Sequence, residues 1–354
     1  MELDERKRKI LQAIVESYID GAEPVSSNEL TETLGCSSAT IRNEMAELEK
    51  EGLLEKTHTS SGRIPSQKGY RYYVDELIRD ELTRKEMNFI KEKLEQKVNN
   101  LEELTKIATT TLSEITHYTA IAIGPKVSEH TIADIKFVLL GNRVLMAVIL
   151  TDSGIIRESI IKFDEDINSS QVEDLTMIFK NKLVGKSLDE IKMPIEEFIT
   201  EELKTGINII KKIVEEINKL LEETNNIYLE GTNNITDLPE FQKTNITKDY
   251  LDLLNSKDLV SEILNHGIKE NLGDINVYIG NEFGKEELKN FSVVTFNHLI
   301  KNKDIGTVGI IGPTRMDYSK VISVMKYISK KINDDYENGK IWDWRNNING
   351  RKPE

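Results

Sequence analysis

A short polar segment near the start of the chain has side chains suited to reading a nucleic acid. Ser37, Ser38 and Thr40 lie at the expected start of a helix, and Arg42 and Asn43 follow within about a turn. Backbone N–H groups at a helix N-terminus favour phosphate, and short hydroxyls there can donate as well. In the major groove arginine pairs best with guanine and asparagine with adenine. The spacing therefore predicts a helix that enters a groove N-terminus first.

A second group of side chains follows directly and is basic. Between residues 56 and 73 the chain has four lysines and arginines and no acid, namely Lys56, Arg63, Lys68 and Arg71. A local basic patch is typical of a nucleic-acid surface. We expect Arg63 to reach the backbone or minor groove and the other three to contact phosphate. His58, in the same stretch, completes the expected DNA-binding set.

Three helices and a hairpin must position these groups. Apolar spacing predicts helices over 4–19, 27–34 and 38–51, strands over 53–58 and 63–66, and a further helix over 67–77. Ser26 or Ser27 is the expected cap of the second helix, and Ser37 or Ser38 that of the third. Gly35 ends the second helix, which leaves a tight turn before the third. This order is the helix-turn-helix pattern with a β-hairpin wing. Winged modules of this kind also mediate protein contacts, and Arg42 is equally suited to an ion pair on its own helix.

The composition sets limits on the class of protein. The chain has 354 residues, a formal net charge of −14 and one cysteine, Cys36. The length predicts two or three domains, and a lone cysteine excludes an intrachain disulfide framework. No apolar run is long enough to span a bilayer, and the acidic N-terminus lacks a signal peptide. We expect a cytoplasmic protein without membrane contact. The net acid excess taken alone argues against a nucleic-acid partner, but binding depends on local charge.

The remaining chain predicts a mixed α+β architecture. The expected helices span 83–116, 170–183, 194–203, 207–223, 238–265 and 317–333, and the expected strands span 119–124, 132–140, 143–150, 155–161, 227–231, 274–280, 292–297 and 307–312. If the strand at 119–124 joins the later ones, a five-stranded sheet results, and the three hairpin strands form an insertion. The long stripe over 83–116 fits a connector or a core helix equally well. The apolar face of 207–223 fits either a core or a second subunit.

Catalytic chemistry has little support in the sequence. The five histidines are scattered and none has metal-ligand spacing. No nucleophile elbow occurs, and Cys36 stands in a turn where a small packed residue is expected. We therefore expect no enzyme, no cofactor and no metal.

Several segments together carry a family resemblance. Residues 40–43 (TIRN), 58–66 (HTSSGRIPS), 68–74 (KGYRYYV) and 312–318 (GPTRMDY) resemble signature blocks of the bacterial heat-inducible transcription repressor family, HrcA. Ser61 and Ser66 are mild departures from that pattern. The resemblance implies a winged helix over 1–80, a GAF-like domain over 81–125 and 226–336, an inserted dimerisation domain over 126–225 and a tail over 337–354.

The same resemblance implies a function. Members are expected to repress chaperone operons as homodimers on an inverted-repeat operator of the CIRCE type, with the chaperonin GroEL keeping the repressor active. A rival hypothesis is a GAF-like ligand-sensing regulator whose winged helix contacts proteins.

Overall fold

A computed structural model gives the fold. It describes residues 3–56, 62–79, 82–95, 101–124, 130–152, 155–187, 191, 207–222, 227–242, 244–270, 275–300 and 303–337. The helices are α1 Glu5–Gly21, α2 Thr31–Leu34, α3 Ser38–Lys50, α4 Gln67–Glu76, α5 Arg84–Leu94, α6 Leu101–Thr116, α7 Ser169–Leu183, α8 Ile207–Glu222, α9 Thr244–Asn255, α10 Lys257–Glu270 and α11 Tyr318–Glu337. The strands are β1 Leu54–Lys56, β2 Arg63–Pro65, β3 Thr119–Ile123, β4 Ile132–Gly141, β5 Val144–Thr151, β6 Ile156–Lys162, β7 Ile227–Glu230, β8 Ile275–Ile279, β9 Phe291–Ile300 and β10 Lys303–Pro313.

The winged-helix region comprises residues 3–79. Asp4 caps α1 by accepting a hydrogen bond from the Lys7 amide, and the apolar stripe of that helix is buried. β1 and β2 pair as an antiparallel hairpin, and Val25 adds a third rung by exchanging two backbone hydrogen bonds with Arg63. The predicted helix-turn-helix and wing are therefore confirmed. The turn at 57–61, including His58, lies outside the described residues.

The second helix is shorter than the sequence predicts. α2 is a single turn that begins after Leu30, and no side chain caps it. The Ser26 hydroxyl instead donates to Glu29, and the Thr31 hydroxyl donates to the Asn28 carbonyl. Such local side-chain hydrogen bonds hold the backbone in a turn and compete with helix formation. The cap predicted at Ser26 or Ser27 is therefore wrong.

The predicted continuous helix over 83–116 is also wrong. The Nζ atom of Lys93 in α5 lies 2.7 Å from the Glu114 carboxylate in α6. In one straight helix these residues would stand roughly 30 Å apart, at 1.5 Å per residue. The stripe thus belongs to two helices that pack together, with Ile90 and Leu104 in one core. Apolar periodicity indicates which face of a helix is buried, but it does not indicate where one helix ends and the next begins.

The five-stranded sheet confirms the prediction that the strand near residue 119 joins the later strands. Its order is β7-β3-β10-β9-β8, and every neighbouring pair is antiparallel. Residues of α6 and α11 share a core with one face, and residues of α9 and α10 share a core with the other. β8 is an edge strand. The core against α6 and α11 is continuous with that of the winged-helix region.

The three-stranded sheet has the order β4-β5-β6 and its own core. α7 and α8 cover one face of it, and the apolar side of α8 is buried in that core. Of the two roles considered for this helix, the core role is the one observed. Arg157 of β6 forms an ion pair of 2.9 Å with Glu102 of α6 and so joins this sheet to the five-stranded one. The helix predicted at 194–203 and most of the tail at 337–354 lie outside the described residues.

Candidate nucleic-acid interface

The helix α3 presents two of the predicted reading residues to solvent. Ile41, Met45 and Leu48 are buried on its inner side, whereas Arg42 and Asn43 are exposed. Within the described part of the chain, neither side chain forms a hydrogen bond or ion pair. Their donors are therefore available to an incoming base edge, which the ion-pair alternative for Arg42 would not allow.

The hydroxyls at the start of α3 fix the turn before it. Ser37 is the N-cap, with its Oγ atom 3.2 Å from the Thr40 amide nitrogen and 2.9 Å from the Thr40 hydroxyl. The Ser38 hydroxyl donates to Asn28 Oδ1 at 2.6 Å and lies 2.9 Å from that of Ser27. These hydroxyls hold the helix N-terminus in place, and each still has acceptor capacity. Asn28 was missed by the sequence reasoning, because nothing in its spacing distinguishes it.

Ion pairs to α1 offset the acids of α3. Lys7 Nζ lies 2.7 Å from Glu47 and 3.3 Å from Glu51, and Arg6 lies 3.6 Å from Glu44. The hydrogen bond from Lys7 lowers the pKa of Glu47. The acids beside the reading face are thus matched by cations, which reduces their repulsion of a phosphate backbone.

The two basic residues on the wing strands have different surroundings. Arg63 Nε donates to the Glu49 carboxylate at 2.7 Å, and the arginine side chain is 15% exposed. Lys56 is exposed and has no partner within the described residues. Lys56 is therefore open to phosphate, whereas Arg63 ties the wing to α3. Its predicted contact with DNA stays a prediction.

The two basic residues of α4 also differ. Lys68 is exposed, and its Nζ atom donates to the Glu51 carbonyl at 2.8 Å. Arg71 is half-buried against the five-stranded sheet, with Nε 2.9 Å and Nη2 2.5 Å from the two carboxylate oxygens of Glu282. These hydrogen bonds raise the pKa of Arg71. A phosphate contact from Arg71 stays a prediction, and it would require this pair to open. Sequence reasoning missed Glu49 and Glu282, since both partners are distant in the chain.

Comparison with known proteins agrees with this geometry. The family model for the HrcA protein C-terminal domain matches residues 102–322, and that for a DeoR-like helix-turn-helix domain matches residues 8–67. A heat-inducible transcription repressor HrcA from Ruminiclostridium cellulolyticum is 40% identical over 341 residues, covering 95% of this chain and 98% of the relative. Its counterpart from Clostridium acetobutylicum is 36% identical over 343 residues, covering 95% and 98%.

The fold comparison covers the same length. A crystal structure of a hypothetical protein matches with a TM-score of 0.68 and 25% identity, covering 95% of this chain and 99% of that one. The shared fold therefore includes both sheets and the winged helix.

The fold and the exposed reading face define a winged-helix transcription regulator. The coverage and identity of the relatives are specific enough to go further. The chain belongs to the heat-inducible transcription repressor HrcA family. That family consists of repressors and not of enzymes, in agreement with the sequence prediction. Among the described residues, no helix has the length and apolar character to cross a membrane.

Proposed function

We propose that this protein represses heat-shock genes by binding an inverted-repeat operator as a homodimer. The observation that carries the proposal is the exposure of Arg42 and Asn43 on the capped helix α3 of an HrcA family member, with no side-chain partner for either among the described residues. Ser37, Ser38 and Thr40 would bring the helix N-terminus to phosphate. Arg42 and Asn43 would read bases in the major groove.

The remaining predicted residues would contact the DNA backbone. Lys56 and Lys68 are exposed and suited to phosphate, and Arg63 lies in the wing strand β2. His58 and Arg71 complete the proposed set. Phosphate contacts position a protein on the duplex and carry no sequence information themselves. Specificity in this proposal therefore comes from Arg42 and Asn43.

The homodimer is supported by the outer face of the three-stranded sheet. Val138, Met146 and Ile160 form one row across β4, β5 and β6, and Val148 in the next row connects it to Leu150 and Ile156 in the row after that. Ile156 is 53% and Ile160 is 60% exposed. A contiguous exposed apolar face is typical of an interaction site.

Charge makes this face complementary to itself. Lys136 and Glu158 flank Val148 at opposite ends of the neighbouring row. A two-fold axis parallel to β5 would place Lys136 of one copy over Glu158 of the other. Such an isologous contact uses one patch twice. A two-fold dimer in turn matches an operator with two-fold symmetry.

Family membership supports the finer parts of the proposal. These are an operator of the CIRCE type upstream of chaperone operons, help from the GroEL chaperonin, and a cytoplasmic location.

A salt-dependent binding titration tests the proposal. The full chain is titrated against a duplex carrying the inverted repeat and against a scrambled duplex of equal length. We expect the repeat to bind more tightly at every salt concentration, and both affinities to fall as salt rises because counterions are released. Equal affinity for the two duplexes would contradict sequence-specific repression.

A further inference from the structure

The winged helix is held against the five-stranded sheet by polar contacts at the free edge of that sheet. Arg71 Nη2 donates to the Val277 carbonyl at 2.5 Å, in addition to its two hydrogen bonds with Glu282. Glu282 is held in turn, because its Oε2 atom accepts a hydrogen bond of 2.8 Å from the Ile279 amide. The guanidinium thus contacts both the edge strand β8 and the short 3₁₀ helix Gly280–Phe283 that follows it.

Gln67, one turn before Arg71, adds contacts at the same edge. Its amide donates to the Lys289 carbonyl at 3.3 Å and accepts from the Asn281 amide at 3.4 Å. Gly280 permits this approach: its φ is +56°, and a Cβ atom there would lie 2.1 Å from Gln67 Nε2. The backbone of the sheet region is therefore shaped to receive α4.

A second polar contact connects the same two regions through α1. Arg315, which is 8% exposed, donates to the Ile19 carbonyl in the last turn of α1 and pairs with Glu240. Hydrophobic contact between the two regions is non-directional, whereas hydrogen bonds constrain angle. Two separate polar contacts therefore fix the orientation of the winged-helix region on the sheet, whereas a single contact would allow it to rotate.

We propose that Glu282 is a positioning residue for operator recognition. By holding Arg71 it fixes the angle of the winged-helix region relative to the five-stranded sheet. That angle sets the spacing between half-sites that the dimer accepts. This inference rests on the proposed dimeric binding to an inverted repeat. The angle also determines the position relative to the three-stranded region, because Arg157 of β6 pairs at 2.9 Å with Glu102 of α6, a helix that packs on the five-stranded sheet. Each half-site is read by α3 alone, which makes no part of this joint.

The test uses full-length protein and a series of operators that differ only in half-site spacing. Two added base pairs turn one half-site by roughly 70°, since a DNA turn takes about 10–10.5 base pairs. We expect the unmodified protein to lose about tenfold in affinity, or about 1.4 kcal/mol, for such a duplex. For Glu282→Ala we expect the loss to shrink to about threefold, with unchanged affinity for a single half-site.

Matched variants separate the clamp from other effects. Glu286→Ala removes the same charge from an acid that pairs with the exposed Lys289 and makes no contact with the winged helix among the described residues. We expect it to keep the original spacing profile. Arg71→Ala should repeat the altered spacing profile of Glu282→Ala. The single half-site affinities of the two variants are then compared, because only Arg71→Ala also removes the predicted phosphate contact.

The outcomes are distinguishable. An unchanged spacing profile in Glu282→Ala, for a variant whose melting temperature shows that it is folded, overturns the clamp. If the unmodified protein ignores spacing altogether, the proposed binding of a dimer to an inverted repeat fails instead.

Discussion

The guanidinium Nε of Arg63 donates to the Glu49 carboxylate at 2.7 Å, so the returning strand of the wing is tied to the last turn of α3. Arg63 also exchanges two backbone hydrogen bonds with Val25. One residue therefore links the wing, the reading helix and the loop after α1. An arginine expected at the DNA is, in the free protein, part of the frame that positions the reading helix.

Breaking this pair should loosen the wing. We expect Glu49→Gln to lower the free energy of unfolding by about 1 kcal/mol, the upper range for a partly exposed pair. Urea denaturation of both single variants and the double variant with Arg63→Gln would give the coupling energy. Lys9→Gln is the control, because its pair with Glu5 is largely exposed and should contribute almost nothing. Additivity of the two single effects would show that the pair is not coupled.

Base reading and phosphate contact should separate in mutants. Arg42→Ala should reduce the preference for operator over scrambled duplex by about 1–3 kcal/mol if the side chain makes a bidentate base contact. Lys68→Ala should weaken binding to all duplexes alike and flatten the salt dependence. Fluorescence anisotropy over a salt series measures both. Identical behaviour of the two variants would contradict this division of roles.

A charge on the outer sheet face should disrupt the dimer. Ile160, on the edge strand β6, is 60% exposed and would face Val138 of the other copy in the proposed interface. Met177 is 59% exposed on α7, which covers the opposite face of this sheet. We expect Ile160→Lys to produce monomers in analytical ultracentrifugation, because a buried unpaired charge is costly, and Met177→Lys to leave the dimer intact. A dimer that survives Ile160→Lys would place the interface elsewhere.

The packing of α4 on the wing should tolerate no side chain at Gly69. A Cβ atom there would lie 2.1 Å from the Leu53 carbonyl oxygen, which is backbone and has no alternative rotamer. We expect Gly69→Ala to destabilise the fold by about 1–3 kcal/mol or more, as overpacking does. Gly21→Ala, at the end of α1 with open space around it, should be neutral or slightly stabilising. Thermal melts of both variants decide the matter, and equal melting temperatures would refute the close contact.

Local patterns predicted local structure well. Of the two serines considered as the cap of α3, Ser37 is the one observed. The buried stripe of Ile41, Met45 and Leu48 and the predicted strands also appear where spacing placed them. These features depend on neighbours within a few residues, which a single sequence displays. The number of strands in the five-stranded sheet was accessible on the condition that the strand near residue 119 joined the later strands, whereas their order was not predicted.

Long-range polar partners were not accessible in this way. Arg71 and Glu282 are separated by 211 positions, and the basic stretch alone gave no reason to expect an acid opposite one of its members. The division of this stretch into α5 and α6 could not be predicted for a related reason, because the apolar residues of both helices follow the same spacing. The apolar pattern shows which side of a helix or strand is buried. Which other element it packs against depends on the tertiary fold.

The shared core described above has a thermal consequence. Side chains of the winged helix, of α5, α6 and α11 and of one sheet face form a single hydrophobic cluster, whereas the three-stranded region has its own. The winged-helix region therefore cannot unfold as an independent unit, because warming that loosens the packing on this sheet face also loosens the winged-helix region. Loss of operator affinity and loss of that core should be one cooperative transition. In the proposed dimer, the separate core of the three-stranded region would keep two chains together through this transition, so that operator binding would recover on cooling without a new association step.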